Sequence, residues 1–176
     1  DQITTQDELF ILDVSGNFSD IDLGDTLGYT ISGLPDDFII DSSGIISGVA
    51  GNDQVGNYEV TVTVTDGNLV NDFEYYLTET FNLTVENIND VPELVTPIAD
   101  QIAAEDIEFS LDVSVNFTDV DVGDTLEYTA IGLPDGITID SLGVISGTPE
   151  NAVVGSYIVT VTVTDVSGKT AVDTFL

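Results

Sequence analysis

The chain repeats itself at a fixed offset of 99 residues, and this repeat limits the folds open to it more than any other feature. Residues 1–66 align with residues 100–165 without a gap, and 41 of the 66 pairs are identical. The segment Thr61–Asp66 returns unchanged as Thr160–Asp165. A period of about 100 residues is too long for a solenoid unit of roughly 20–50 residues. It fits tandem domains that fold independently.

Within each copy, apolar and polar residues alternate as they do in half-buried β-strands. In the segment Tyr58–Thr65, every second residue is apolar and would face a core. Clusters of Gly, Pro, Asp and Asn separate the segments, and no long window has a helical period. About seven short strands in roughly 95 residues are typical of an Ig-like β-sandwich. The predicted strands of the first copy are Phe10–Val14, Leu27–Ile31, Phe38–Ile40, Ile45–Ser47, Tyr58–Thr65 and Phe81–Val85.

The repeat and the alternation together predict an all-β protein of two tandem Greek-key sandwiches. We place the first domain at residues 1–90 and the second at residues 91–176, and expect the second to lack the end of its last strand. The core is predicted from the apolar positions of the strands, with their equivalents in the second copy. These positions are Phe18, Leu27, Tyr29, Leu34, Ile46, Val60, Val62 and Val64.

The charge of the chain excludes several classes of function. One Lys stands against 33 acids, so the formal net charge is −32, and His, Cys, Met and Trp are absent. A chain with a single basic side chain cannot neutralise phosphates, so we expect no nucleic-acid binding and no attraction to anionic membranes. Disulfides, zinc fingers and Ser-His or Cys-His nucleophiles are excluded by composition. No apolar run reaches the roughly 18–20 residues of a membrane span, so we expect no membrane insertion.

Acidic side chains recur at three places in both copies, where they could bind a cation. Carboxylates at positions i and i+2 before a Gly turn can wrap one ion, and Ca²⁺ takes six to eight oxygen ligands at about 2.3–2.6 Å. A bound cation would also offset the self-repulsion of so acidic a chain. The alternative is that each Asp only caps a turn. The three places are Asp20-x-Asp22-x-Gly24-Asp25 with Asp119-x-Asp121-x-Gly123-Asp124, Asp66 with Asp165, and Gln6-Asp7 with Glu105-Asp106.

The segment between the copies, residues 86–92, is rich in groups that can ligate a metal. This segment, called the linker below, carries side-chain oxygens at Asn87, Asn89 and Asp90 and ends at Pro92. Proline restricts its own backbone and that of the residue before it. We therefore predict a rigid junction rather than a flexible one.

Single features of the sequence are compatible with two further functions. The pair Tyr75-Tyr76 could stack against a sugar, which would make the chain a carbohydrate-binding module, although an edge-strand or packing role is the simpler interpretation. A pair of carboxylates could catalyse glycoside hydrolysis. The repeated acids lie in shared turn motifs without another catalytic group, so we predict that the chain is not an enzyme.

The motifs as a set resemble the dystroglycan-type cadherin-like domains that occur in tandem in large bacterial surface and secreted proteins. The resemblance covers nearly the whole chain. It rests on Phe18-x-Asp20-x-Asp22-x-Gly24-Asp25-x-Leu27-x-Tyr29, Gly132-Leu133-Pro134-Asp135-Gly136-Ile137, Ile145-Ser146-Gly147-Thr148-Pro149, Val161-Thr162-Val163-Thr164-Asp165 and the linker Asn87-Ile88-Asn89-Asp90-Val91-Pro92. It implies cadherin-like Greek-key sandwiches with calcium at the domain junction.

The resemblance also implies which residues bind calcium. Asp119, Asp121 and Asp165 would meet Asn89 and Asp90, and the first domain would add Gln6, where the family pattern has Glu, or Asp7. Asn87 stands where cadherins often have Asp, so fewer than three ions per junction are expected. The remaining half-sites would serve neighbouring domains of the same kind: Asp20, Asp22 and Asp66 on one side, Glu105 and Asp106 on the other.

The predicted function is a calcium-dependent structural and adhesive module of a large extracellular protein, such as a bacterial adhesin or biofilm protein. Calcium would bridge carboxylates that otherwise repel one another at the junction, and so make the segment stiff. Its partners would be neighbouring domains of the same chain. Contacts between copies of the chain and calcium-dependent binding of carbohydrate stay open as alternatives.

Overall fold

The structure of the protein is a computed structural model. It describes residues 1–21, 26–67, 69–70, 73–74, 76–121 and 123–176, with the backbone alone at 69, 70, 73 and 74. The chain divides into two compact units, Asp1–Ile88 and Asn89–Leu176. Within the described residues, the regular structure consists of β-strands and single-turn 3-10 segments.

The first domain is built from two facing sheets. One sheet has the strand order β1-β9-β6-β3, in which β1 runs parallel to β9, and the other has the order β2-β5-β4. Strands β7 and β8 form a separate two-stranded hairpin. The strands are β1 Gln2–Thr5, β2 Leu9–Asp13, β3 Gly28–Ser32, β4 Ile39–Ile40, β5 Ile45–Val49, β6 Gly56–Thr65, β7 Leu69–Val70, β8 Phe73–Glu74 and β9 Leu77–Glu86.

The second domain repeats this plan. One sheet has the order β13-β16-β17 and the facing sheet has the order β11-β15-β14, with a small β10-β12 pair beside them. The strands are β10 Glu93–Leu94, β11 Phe109–Asp112, β12 Phe117–Thr118, β13 Glu127–Ile131, β14 Ile137–Ile139, β15 Val144–Gly147, β16 Val159–Thr164 and β17 Thr170–Phe175.

Each domain has its own hydrophobic core, and the core prediction is confirmed. In β6 the valines at positions 60, 62 and 64 are at most 4% exposed, while the threonines between them are half-buried. This is the period-2 alternation of a strand that is buried on one face. Every predicted core residue is either buried or packed against the cluster of its domain. Edge-to-face contacts of Phe18 with Tyr29, and of Phe117 with Tyr128, are repeated in the two cores.

The two domains differ beside their last strands. In the first domain, residues 83–86 of β9 lie between β1 and the start of β6. In the second domain, residues 101–104 correspond to β1 and residues 155–158 to the start of β6, and neither segment forms a strand. A cavity of about 610 Å³ lies among these two segments and the neighbouring core residues. Leu83 and Val85, at most 1% exposed, occupy that part of the first domain.

Among the described residues, no helix is long and apolar enough to span a membrane.

Candidate metal centre

Four aspartates of the second domain form a cluster, called the acid cluster below: Asp119, Asp121, Asp124 and Asp165. Three of them lie in the loop between β12 and β13, and Asp165 directly follows β16. One carboxylate oxygen from each of Asp119, Asp124 and Asp165 lies within 4.8 Å of the others. The fold therefore brings residues 41 positions apart in sequence into one site.

The acid cluster is buried to an extent that is unusual for carboxylates. Asp121 is 5% exposed and Asp165 is 6% exposed, whereas Asp is among the residues least often buried unless it is paired. Three buried oxygens have no hydrogen-bond partner: Asp119 Oδ2, Asp121 Oδ1 and Asp124 Oδ2. A buried polar atom without a partner costs free energy, so these three oxygens are the atoms of the acid cluster on which a cation could bind.

Local turn chemistry holds the other oxygens of the acid cluster in place. The backbone N–H of Asp121 donates to Asp119 Oδ1 over 2.9 Å, which closes an Asx-turn. After β16, Asp165 Oδ1 accepts from the backbone N–H groups of Ser167 at 2.9 Å and Lys169 at 2.8 Å. Hydrogen bonds to Asp119 Oδ1 and Asp165 Oδ1 thus fix the orientation of these two carboxylates, while Asp119 Oδ2 stays free for a ligand.

The linker joins the acid cluster directly. The side-chain amide of Asn89 donates to Asp165 Oδ2 over 2.9 Å, and it also contacts the backbone carbonyl of Asp90. The backbone N–H of Asp90 donates to Asp121 Oδ2 over 2.8 Å. Both linker residues are half-buried. A movement of the carboxylates in the acid cluster would therefore change the hydrogen bonds that hold the linker.

The electrostatics of the acid cluster are those of carboxylates without a counter-charge. Burial raises the pKa of Asp124 above its ordinary value, and the charges of the three neighbouring aspartates raise this pKa further. Burial acts in the same direction on Asp165, but hydrogen bonds from Asn89, Lys169 and Ser167 outweigh it, so the pKa of Asp165 is lowered. The hydrogen bonds thus favour the ionised form of Asp165, whereas burial and repulsion oppose ionisation of Asp124.

The residues present fit a calcium ion. Hard oxygen donors, several negative charges and flexible loop geometry are the features that Ca²⁺ requires. The acid cluster supplies three unpartnered carboxylate oxygens, and the linker residues Asn89 and Asp90 lie in hydrogen-bond contact with it. No Cys or His is present to favour a softer metal.

The first domain places Gln6 in a comparable setting. Gln6 is 1% exposed, and its Oε1 has no hydrogen-bond partner. Its side-chain amide donates to the carbonyl of Ile88 over 3.2 Å and also contacts Asn52 Oδ1. The backbone of Gln6 donates to the carbonyl of Glu86 over 3.0 Å. A free amide oxygen therefore lies buried beside the last residues of this domain.

The structure places the other predicted ligands in different surroundings. Asp7 and Asp106 are exposed and adopt positive φ angles of 60° and 57°. Asp106 accepts a hydrogen bond from the Asn151 amide at 2.8 Å. Asn87, Glu105 and Asp20 are exposed, Asp66 is half-buried, and Asp22 lies outside the described residues. Of the predicted set, the fold brings together Asn89, Asp90, Asp119, Asp121 and Asp165.

Two residues that contact predicted ligands, one in each domain, were not themselves predicted. Asp124 belongs to the acid cluster, and its signal in the sequence was its recurrence as Asp25 at the end of the repeated motif. Asn52 contacts Gln6, and it too recurs, as Asn151. Of the tyrosine pair considered for carbohydrate, Tyr76 is 59% exposed and Tyr75 lies outside the described residues.

The fold and its repetition define a protein of two tandem Ig-like domains. A family model described as "Putative Ig domain" (He_PIG) matches residues 1–86 and again residues 91–176. The chain belongs to this family. A search of the curated proteins found no match.

Solved structures of cadherins share the fold. Chicken VE-cadherin EC1-2 is 18% identical, with a TM-score of 0.54 over 99% of this chain and 96% of that one. Drosophila N-cadherin EC1-4 is 23% identical, with a TM-score of 0.51 over 86% of this chain and 40% of that one. An endo-fucoidan hydrolase of glycoside hydrolase family 107 is 21% identical with a TM-score of 0.40, and this chain spans 26% of its length. The tandem Ig-like, cadherin-like fold predicted from the sequence is therefore confirmed.

Proposed function

We propose that the chain is a calcium-dependent structural and adhesive segment of a larger extracellular protein. The acid cluster binds Ca²⁺ together with Asn89 and Asp90, and the ion fixes the conformation of the linker. The observation that carries this proposal is the set of three buried, unpartnered carboxylate oxygens beside hydrogen bonds to the linker. The proposed setting is a dystroglycan-type cadherin-like array on a bacterial surface or in a biofilm.

The mechanism is electrostatic. Without the ion, the carboxylates of the acid cluster repel one another, and this repulsion opposes the closed arrangement of loop and linker. With the ion bound, the same oxygens become ligands and hold Asn89 and Asp90 against the second domain. Gln6, with its buried free oxygen beside Ile88, is the proposed contribution of the first domain.

Thermal unfolding with and without calcium tests the proposal. Extracellular calcium modules have dissociation constants of roughly 10⁻⁴–10⁻³ M. At about 10 mM Ca²⁺ such an affinity adds about 1.4–2.7 kcal/mol of stability. For a domain of this size we expect the melting temperature to rise by several degrees, at least about 5 °C.

Two double variants that remove the same charge distinguish calcium binding at the acid cluster from a general effect of net charge. Asp119→Asn with Asp121→Asn should abolish the calcium-dependent rise. Asp36→Asn with Asp135→Asn removes the same charge at exposed positions and should keep it. An equal calcium-dependent rise in melting temperature in both double variants would refute calcium binding at the acid cluster. Glycan pull-down with and without calcium checks the carbohydrate-binding alternative.

A further inference from the structure

The cavity of the second domain lies between two backbone segments whose counterparts in the first domain are paired strands. Residues 101–104 and 155–158 flank the cavity and form no strand. At the equivalent positions of the first domain, β1 and the start of β6 both pair with β9. We call the cavity between the two segments the strand groove. The apolar residues that line it include Phe109, Leu133, Ile137, Ile145, Tyr157 and Val159.

The first domain shows what this lining packs against. The counterparts of the six residues belong to the core cluster that contains Leu83 and Val85 of β9. Five of the six pairs are identical in residue type. The strand groove therefore keeps the apolar chemistry that receives two aliphatic side chains two positions apart on a strand. The counterparts are Phe10, Leu34, Phe38, Ile46, Tyr58 and Val60.

The backbone at one end of the strand groove already follows the hydrogen-bond pattern of the first domain. The N–H of Leu176 donates to Asp100 Oδ1 over 3.0 Å, as the N–H of Asn82 donates to Asp1 Oδ1 over 3.2 Å. The N–H of Gln101 donates to the carbonyl of Leu176 over 2.7 Å. Leu176 therefore stands where Asn82 stands in the first domain, and a strand that continues β17 enters the groove.

One side of the strand groove is a segment that is fixed beyond both ends and exposed between them. Beyond its far end, the N–H of Asp106 donates to the carbonyl of Pro149 over 2.9 Å. Residues 102–105 are exposed. In the first domain the counterpart of the last of them, Gln6, is 1% exposed, and its N–H donates to the carbonyl of Glu86 over 3.0 Å. The exposed segment is therefore a strand edge that can pair with added backbone.

We propose that the strand groove binds an extended polypeptide segment that continues from Leu176, with aliphatic side chains at its first and third residues. The segment lies parallel to residues 101–104 and antiparallel to residues 155–158, as residues 83–86 do to their partners in the first domain. Main-chain hydrogen bonds on both sides supply affinity and the two aliphatic side chains supply specificity, as in recognition by strand addition. This segment is the end of the last strand that the repeat predicts, and its binding does not depend on the calcium site.

Thermal unfolding and amide hydrogen exchange in chelator test the inference on the full chain extended by four residues. The extension Leu-Thr-Val-Glu, which copies residues 83–86, is added after Leu176, and Ser-Thr-Ser-Glu is the matched control of equal length and charge. Relative to the control, we expect the aliphatic extension to raise the melting temperature of the second domain by at least about 5 °C. It should also slow exchange of the Ala103 and Glu105 amides at least about tenfold. Equal behaviour of the two extended chains would overturn the inference.

A pair of proline variants tests the register of the added strand. In a parallel ladder alternate N–H groups point to the partner strand, so the register of β1 with β9 assigns the N–H of Ala103, and not that of Ala104, to the added segment. Ala103→Pro removes this donor and should cancel more than half of the gain in melting temperature that the aliphatic extension gives, whereas Ala104→Pro should keep most of it. Equal losses would contradict the proposed pairing.

A free Leu-Thr-Val-Glu peptide distinguishes a separate partner from a continuation of β17. A joined segment has a high effective concentration at the strand groove, so we expect the free peptide at about 1 mM to slow amide exchange in the unextended chain far less than the joined segment does. Equal protection by the free peptide would show a site for a separate partner and would overturn the inference.

Discussion

For single residues, the acid cluster combines burial and like charge, and a bound cation would relieve both. Asp121 and Asp165 are almost fully buried, and Asp124 has a raised pKa because of burial and its three acidic neighbours. Without divalent ions, the repulsion at Asp124 opposes folding, whereas a bound cation would turn the same carboxylates into ligands. Substitution of Asp124 should therefore change metal-free stability and calcium affinity in opposite directions.

The variant Asp124→Asn tests this opposition. Removing one charge relieves repulsion, so the metal-free chain should melt at a higher temperature than the wild type. Removing one charged ligand should weaken calcium binding by roughly tenfold or more. Differential scanning calorimetry in chelator and calorimetric calcium titration measure the two effects. A variant that loses stability in chelator while keeping its calcium affinity would show that Asp124 only supports the loop.

The raised pKa of Asp124 also predicts a pH dependence. The folded pKa lies above the unfolded one, so the unfolded state loses its proton first as pH rises. Stability in chelator should therefore fall as pH rises from the ordinary Asp value through the raised one. Comparing wild type with Asp124→Asn isolates this contribution, since the variant should lack it. Parallel pH profiles for the two proteins would contradict the assignment.

Part of the site could be predicted from spacing, and part could not. The i, i+2 carboxylates and the linker amides were recognisable because the motif recurs in both copies. The burial of Gln6 was not, because it depends on its contacts with Ile88 and Asn52, which are distant in sequence. Asp165 was predicted from its recurrence as Asp66 directly after the long alternating strand, but its burial was not.

Among the elements, strands with alternating apolar residues were predictable and strands held by pairing alone were not. β6 was expected because its valines recur at every second position. β1 was missed because its four residues have no such pattern, and its parallel pairing with β9 is a tertiary contact. The first half of β9 was missed for the same reason: Leu77–Thr80 is exposed and is held by its ladder to β6.

Turn glycines provide a test of the sandwich geometry. Gly132 has a φ of 85°, and a Cβ there would lie 2.1 Å from the carbonyl oxygen of Ile158. Gly168 has a φ of 88° with open space around it. Gly168→Ala should cost only the roughly 1–2 kcal/mol of the left-handed backbone conformation. Gly132→Ala must also displace backbone, so it should destabilise the second domain clearly more in denaturant titration. Equal effects would mean that the turn before β14 is placed incorrectly.

For the whole molecule, the proposed role of calcium is to restrict the linker. The chain has no Cys, so Ser42→Cys and Ser141→Cys, at equivalent exposed positions, accept one spin label in each domain. We expect the distance distribution between the labels to narrow when calcium is added and to broaden with chelator. With Asp119→Asn and Asp121→Asn present, calcium should have no effect. A distribution that calcium does not change in the wild type would contradict the stiffening mechanism.

The contribution of the first domain can be tested at Gln6. If its buried oxygen serves the same ion, Gln6→Glu adds a charge to the ligand set and should raise calcium affinity several-fold. In chelator the same variant should be less stable, because it buries an uncompensated carboxylate. Calorimetric titration against Glu8→Gln, an exposed neighbour outside the predicted ligand set, provides the comparison. Unchanged affinity in Gln6→Glu would limit the site to the second domain and the linker.

Calcium binding by the acid cluster underlies the proposed function, and a crystal structure of the chain grown in calcium tests this binding directly. We predict anomalous density among Asp119, Asp121, Asp124 and Asp165, with six to eight oxygen ligands at about 2.3–2.6 Å. At least one ligand should come from Asn89 or Asp90. Water alone among these carboxylates in a calcium-saturated crystal would contradict the account.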